Sequence, residues 1–181
     1  MNKTIYISAI IFLSLIFALS SCDSPTNTAI FKTNEVDFND INQTPGFVWF
    51  TPRYNEYVCD SNIILQIKSA IKPEHNFYFY AMPSCDCENY QDIFPYSIKI
   101  LHKAGISKEQ FKMIVLKDKN ADHPYKNIVH LKDLPEIFLI KNNISVYSIG
   151  DTVKQRMNDT SVDYKKALLE LVILEAIQAN Q

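Results

Sequence analysis

The sequence predicts an α/β domain, a mixed β-sheet flanked by helices on both faces. Three observations carry that expectation. Residues 76–82, Asn-Phe-Tyr-Phe-Tyr-Ala-Met, are aromatic and almost continuously apolar, as suits a central strand buried on both sides. Stretches on either side of this strand repeat their apolar residues at helical spacing. Residues 136–140, the turn signal Asn142-Asn143 and residues 144–149 read as a hairpin.

Taken in order, Phe47, Val48, Trp49 and Phe50 read as a short first strand. Ile63, Ile64, Ile67 and Ile71 then recur as one side of a helix over 61–71, which Pro73 closes. After the aromatic strand, 88–104 is a helix candidate with Ile93, Ile98 and Leu101 together, interrupted by Pro95 and ended by Gly105. Residues 111–116 form another apolar strand, and 117–133 are polar and irregular. Beyond the hairpin, 163–179 is a Leu- and Ala-rich helix with Glu170 and Glu175 on its polar side. The stretch 47–181 is the size of one domain. Residues 23–46 are polar and poor in large apolar clusters, and read as a flexible tether ahead of it.

The opening of the chain carries a separate signal. One lysine, Lys3, precedes an apolar run over 5–19 broken only by Ser8 and Ser14. That is the pattern of a signal peptide, and the run is shorter than the roughly 20 residues a spanning helix needs. The run closes on Leu19-Ser20-Ser21-Cys22, which resembles the lipobox of bacterial lipoproteins. By that resemblance residues 1–21 are removed and Cys22 becomes the lipid attachment site. Residues 22–46 then hold the domain off a membrane, in the cell envelope, facing the periplasm or the exterior. More than one acyl chain on Cys22 would make the anchor durable. The remaining chain has 17 basic and 20 acidic residues, a formal charge of −3, and no basic patch that would suit nucleic acid.

With Cys22 assigned to lipid, Cys59, Cys85 and Cys87 remain. Three thiols allow at most one bridge within the chain. Cys85 and Cys87 fall between the aromatic strand and the next helix. Pro95 stands eight residues after Cys87, and Leu134-Pro135-Glu136 opens the hairpin.

This arrangement over about 47–179 resembles the thioredoxin superfamily. Its members keep redox cysteines at that strand-to-helix junction, a proline eight residues after the first cysteine, and a cis-proline segment ahead of the hairpin. The resemblance implies a thioredoxin-like fold and a thiol-disulfide oxidoreductase with Cys85 and Cys87 as catalytic residues. Leu134 and Pro135 would offer backbone hydrogen bonds to an extended substrate. Protein thiols or disulfides are the implied substrates, and no cofactor is implied. The departures are specific. Glu88 or Tyr90 stands where the family's second cysteine would be, Ser84 or Asp86 where it has tryptophan, and Phe79 or Ala81 where many members bury an acid.

A cysteine at a helix N-terminus is acidified by the helix dipole, whereas Asp86 and Glu88 beside Cys87 oppose a further negative charge. A Cys85–Cys87 disulfide closes a small, strained ring, and strained disulfides are oxidising. In that version Cys87 attacks and Cys85 resolves; in another, Cys59 resolves. Two other classes of function fit the same residues. One is a redox-silent thioredoxin-like module that binds a partner. The other is a Cu(I) or Zn(II) site using two thiolates and an imidazole, although His75, His102, His123 and His130 stand at no ligand spacing from the cysteines.

Overall fold

The structure is a computed structural model and describes residues 34–83, 92–158 and 168–181. Cys22, Cys85 and Cys87 lie outside the described residues.

Among the described residues, five strands form one mixed sheet in the order β1-β3-β2-β4-β5. They are β1 (Asn34–Glu35), β2 (His75–Ala81), β3 (Phe111–Val115), β4 (Glu136–Lys141) and β5 (Ile144–Ser148). The helices are α1 (Phe50–Glu56), α2 (Ser61–Ala70), α3 (Ile93–Ala104), α4 (Ile149–Asn158) and α5 (Leu168–Gln178). The central pair β2 and β3 runs parallel, from Phe77↔Phe111 to Ala81↔Val115. Strand β4 lies antiparallel on the other side of β2, from His75↔Lys141 to Tyr80↔Glu136. The expected hairpin is present, and Asn142 and Asn143 take positive φ values of 53° and 59°, the backbone that a tight two-residue turn requires. The mixed α/β class read from the sequence therefore holds.

Alternation along β2 divides the core. Phe77 and Phe79 face a layer in which α1, α2, α3 and α5 are linked by mutual contacts. Phe94 of α3 anchors that layer, with its ring 6.0 Å from Phe79 and 5.4 Å from Phe50. Tyr78 and Tyr80 face the other way, into a cluster with Ile114, Leu116, Val129, Leu134, Phe138 and Ile140. The cover here is the irregular chain between β3 and β4, so the expected second helical layer is replaced. Residues 117–133 lack helical periodicity and contain Pro124. They deliver Tyr125, Ile128 and Leu131 to the cluster from irregular backbone instead.

Four other expectations change. The strand over 47–50 is a turn leading into α1. Phe47 and Phe50 are both buried while Val48 is 80% exposed, which is helical rather than alternating burial, and Pro52 sits where a first helical turn tolerates it. Residues 34–46, expected in the tether, belong to the folded unit, which runs from Lys32 to Gln181. There Ile41 is fully buried, and the Phe38 ring lies 5.9 Å from Phe50 and 4.5 Å from His102. Pro95 does not interrupt α3, because it occupies the first turn, where no intrahelical N–H bond is lost. Glu170 is not on a polar face but fully buried in α5, accepting from the Asp60 N–H at 3.2 Å.

Candidate functional site at the Pro135 edge

The register Tyr80↔Glu136 fixes where the ends of β2 and β4 meet. One step further along this ladder, Ala81 and Met82 leave β2 beside Pro135 and Leu134. The Leu134–Pro135 peptide is cis. Leu134 is 5% exposed and seals the Tyr78 and Tyr80 cluster, and Pro135 is buried beside it.

The stretch of chain that carries Cys85 and Cys87 is flanked by Pro83 and Asp92, and residues around α1 hold both flanks. The Trp49 indole N–H donates to the Gly46 carbonyl at 2.8 Å and to the Pro83 carbonyl at 3.3 Å. Arg53 Nε lies 3.4 Å from Asp92 Oδ1. Burial holds the Asp92 pKa above the ordinary carboxyl value, against the opposing charge of Arg53. Gly46 is required twice over. Its φ is +87°, and a Cβ on it would lie 2.6 Å from Pro83 Cβ.

Glu136, the residue after Pro135, is 1% exposed. Its Oε1 accepts from the N–H of Ile137 at 2.8 Å and of Gly150 at 2.7 Å, while Oε2 is buried without a hydrogen-bond partner. Burial pushes its pKa up to about 8, and the Asp151 carboxyl nearby adds to the rise. Across the ladder, the Tyr80 hydroxyl and His123 Nδ1 are hydrogen-bonded at 3.4 Å. Desolvation lowers the His123 pKa, so this imidazole is held neutral.

Cys59 is a free, half-buried thiol between α1 and α2. Burial first, and the Glu170 carboxyl second, push its pKa up against the pull of Lys99 and Lys103. It is a thiol at neutral pH and a poor nucleophile. Lys99 and Lys103 stand six and ten residues beyond Ile93, roughly 9 and 15 Å along α3 at the helical rise. Cys59 thus lies alongside the body of α3 rather than at its start.

The histidines are dispersed. His75 is fully buried, accepting from the Lys72 N–H at 3.2 Å and facing the Asn180 carbonyl at 3.4 Å. His102 bonds the Tyr54 hydroxyl at 3.1 Å, and His130 is exposed. Among the described residues no three His, Cys, Asp or Glu side chains gather as a metal site, and no helix is long and apolar enough to cross a membrane.

Trp49, Arg53 and Glu136 were not singled out by sequence reasoning. For Glu136 a signal existed, namely an acid opening an otherwise apolar strand. For Trp49 and Arg53 the strand expected over 47–50 concealed it. Compared with known proteins, the chain matches no family model, no curated protein and no solved structure.

Proposed function

We propose that this protein is a lipid-anchored, thioredoxin-like thiol-disulfide oxidoreductase of the cell envelope. Cys22 carries the anchor, Cys85 and Cys87 exchange disulfides, and Leu134 and Pro135 form the edge against which an extended protein substrate lies. The observation that carries this reading is the register Tyr80↔Glu136. It brings the Leu134–Pro135 edge beside the end of β2, from which the chain leads directly to both cysteines. The resemblance requires that neighbourhood, and strand order alone does not guarantee it.

In the forward reaction the Cys87 thiolate attacks one sulfur of a substrate disulfide. The S–S bond breaks, the departing substrate thiolate takes a proton, and a mixed disulfide forms. Cys85, as thiolate, attacks the Cys87 sulfur. This closes the Cys85–Cys87 bridge and releases the second substrate thiol, so that the substrate is reduced and the pair oxidised. Run in reverse, the same steps oxidise a substrate dithiol. The position of Cys59 beside Lys99 and Lys103, with its raised thiol pKa, favours Cys85 over Cys59 as the resolving group.

The test is mass mapping of thiols in the full chain after equilibration in glutathione buffers of graded potential. A reversible Cys85–Cys87 bridge that Cys87→Ser abolishes is the expected result. Thiols that never pair, or a bridge that resists reduction, overturn the oxidoreductase and leave a partner-binding module. Cu(I) or Zn(II) retained through purification and lost in the double cysteine variant indicates metal binding instead. The anchor is checked by incorporation of labelled fatty acid, which Cys22→Ala should eliminate.

A further inference from the structure

A cleft beside α3, at the β1 edge of the sheet, takes no part in the exchange steps. Strand β1 pairs with β3, and the Val36 N–H donates to the Met113 carbonyl at 2.9 Å. The chain then turns at Asp37 into the 3-10 turn Phe38–Gln43, and the Phe38 ring rests on His102 of α3. Between this strap and the facing residues of α3 and β3 lies an open cleft of about 460 Å³, within the size range of small-molecule sites. Phe38, Ile98, Phe111 and Met113 supply its apolar walls.

The polar groups that line it are not equivalent. Glu35 accepts from Lys112 at 2.6 Å and from the Tyr125 hydroxyl at 2.8 Å, so both of its oxygens are engaged and the Lys112 charge is answered. Asp37 turns Oδ1 back on its own 3-10 turn, where it accepts from the N–H and the side-chain amide of Asn39. Lys108 forms no ion pair among the described residues. His102 is half-buried, and its Nδ1 meets the Tyr54 hydroxyl at 3.1 Å. That hydroxyl has no other hydrogen bond among the described residues, so it donates to Nδ1, and the ring proton belongs on Nε2. The cleft is thus left with two uncommitted donors, the Lys108 ammonium and the His102 Nε2–H.

We infer that this cleft binds a small carboxylate with an apolar, ring-sized body: Lys108 and His102 Nε2–H hold the carboxylate, and the body lies between Phe38, Phe111, Ile98 and Met113. A carboxylate has two oxygens to offer two separate donors, and a charged acceptor makes both hydrogen bonds stronger. Asp37 keeps one free oxygen at the rim and is the competing attraction, which would favour a cation. The half-buried imidazole decides between them, because a ligand that covers its N–H without accepting from it leaves a desolvated donor unpaired. The inference stands apart from disulfide exchange, in which neither Lys108 nor His102 takes part.

The experiment is a titration of the full chain, isotopically labelled in phosphatidylcholine nanodiscs, with phenylpropionate, free probe being read against empty discs. Saturable shifts are expected at the His102 ring, Ile98 and Met113, with a Kd of about 1–10 mM for so small a probe in an open cleft. Phenylpropanol, acetate and phenylpropylammonium each lack one recognised feature and should bind at least about fivefold more weakly. Lys108 is exposed, and Lys108→Gln should weaken phenylpropionate about three- to tenfold while leaving phenylpropanol unchanged. The ring nitrogen shifts of His102 in the free chain should place its proton on Nε2.

Shifts that fail to saturate by about 50 mM overturn the site. Phenylpropanol binding as tightly as the acid would make it an apolar crevice, and acetate doing so would remove the walls from recognition. Tighter binding of phenylpropylammonium would hand the cleft to Asp37 and a cation. A His102 proton on Nδ1 would remove the second donor. Each of these results overturns the inference, and each is read from the unmodified chain.

Discussion

The two faces of the sheet bury their aromatic residues by different means. On one, the rings of Phe47, Phe50, Phe79, Phe94 and Phe111 pack in edge-to-face, tilted and stacked pairs under a helical layer. On the other, Tyr78 and Tyr80 are covered by irregular chain, and buried polar groups appear among them, the Tyr80 hydroxyl with His123 and then Glu136. Helices satisfy their own backbone groups, so the layer they form can be apolar where it meets the sheet. Irregular cover has to find partners for its N–H and C=O groups, and polar side chains accumulate with it. Buried titratable groups occur on both faces, Glu170 within the helical layer and Glu136 and His123 on the irregular side, and Glu136 stands at the border where β2 leads toward Cys85 and Cys87.

The sharpest way to break that comparison is to remove a ring from one face and a buried hydroxyl from the other. Phe79→Ala should cost about 3–5 kcal/mol, because the cavity opens in a packed set of rings that cannot collapse into it. Tyr80→Phe removes only the hydroxyl and its bond to His123, and should cost about 1 kcal/mol. Denaturant midpoints measure both. A loss in Tyr80→Phe as large as that in Phe79→Ala would mean that the hydroxyl and its bond to His123 carry the irregular face, rather than ring burial.

Next in size is the pH dependence of stability. Glu136 has a pKa of about 8 in the folded chain, above the ordinary carboxyl value of about 4.3. Its contribution favours folding fully below the ordinary value and is lost as pH climbs through about 8. By neutral pH the loss from this one group is on the order of 3 kcal/mol. Urea unfolding between pH 5 and 9 should show the decline, and Glu136→Gln should flatten it. A curve with the same slope in both chains would place the titration elsewhere.

How legible all this was in the sequence depended on which force shaped each element. The run Phe77 to Ala81, the Asn142-Asn143 turn and the isoleucines of α2 follow from periodicity and turn chemistry, and the structure agrees with each. Helix α4 was not read. Its apolar stripe is Ile149, Val153 and Met157, too thin a pattern beside the polar residues between them, and its first turn is held by Glu136 from another strand. The segment 34–46 looked like tether because Phe38 and Ile41 are scattered among polar residues, yet at a spacing of three they are enough to bury a 3-10 turn. The cis Leu134–Pro135 peptide ahead of β4 follows from local residues. Trp49 and Arg53 were not, because what they hold, Pro83 and Asp92, lies more than thirty residues away.

A smaller effect separates two glycines. Gly46 and Gly105 both have positive φ, so alanine at either carries the conformational cost of about 1 kcal/mol. At Gly105 nothing lies within 4 Å of an added Cβ, whereas at Gly46 it would meet Pro83 at 2.6 Å, with backbone at 3.0 Å. Gly46→Ala should therefore cost about 2 kcal/mol and disturb the Trp49 bond to Pro83, which Trp fluorescence reports. Gly105→Ala should leave that fluorescence unchanged.

The smallest expected effect concerns how the irregular cover is tied down. Glu35 of β1 accepts from Lys112 at 2.6 Å and from the Tyr125 hydroxyl at 2.8 Å, and the Tyr125 ring packs 4.6 Å from Tyr78. One carboxylate thus connects the edge strand to the cover over Tyr78. Lys112 and Glu35 are well exposed, so solvent and salt screen their charge, and such pairs contribute about 0.2–1 kcal/mol. Glu35→Gln keeps a hydrogen-bond acceptor for Tyr125 and removes only the charge. Its cost should stay within that range and shrink further in about 1 M salt, where the screening length falls to about 3 Å. Tyr125→Ala also removes the ring from Tyr78, and its cost should be larger and insensitive to salt, because burial rather than charge holds the cover in place. A salt-dependent loss in Tyr125→Ala would reverse that assignment and make the cover an electrostatic attachment.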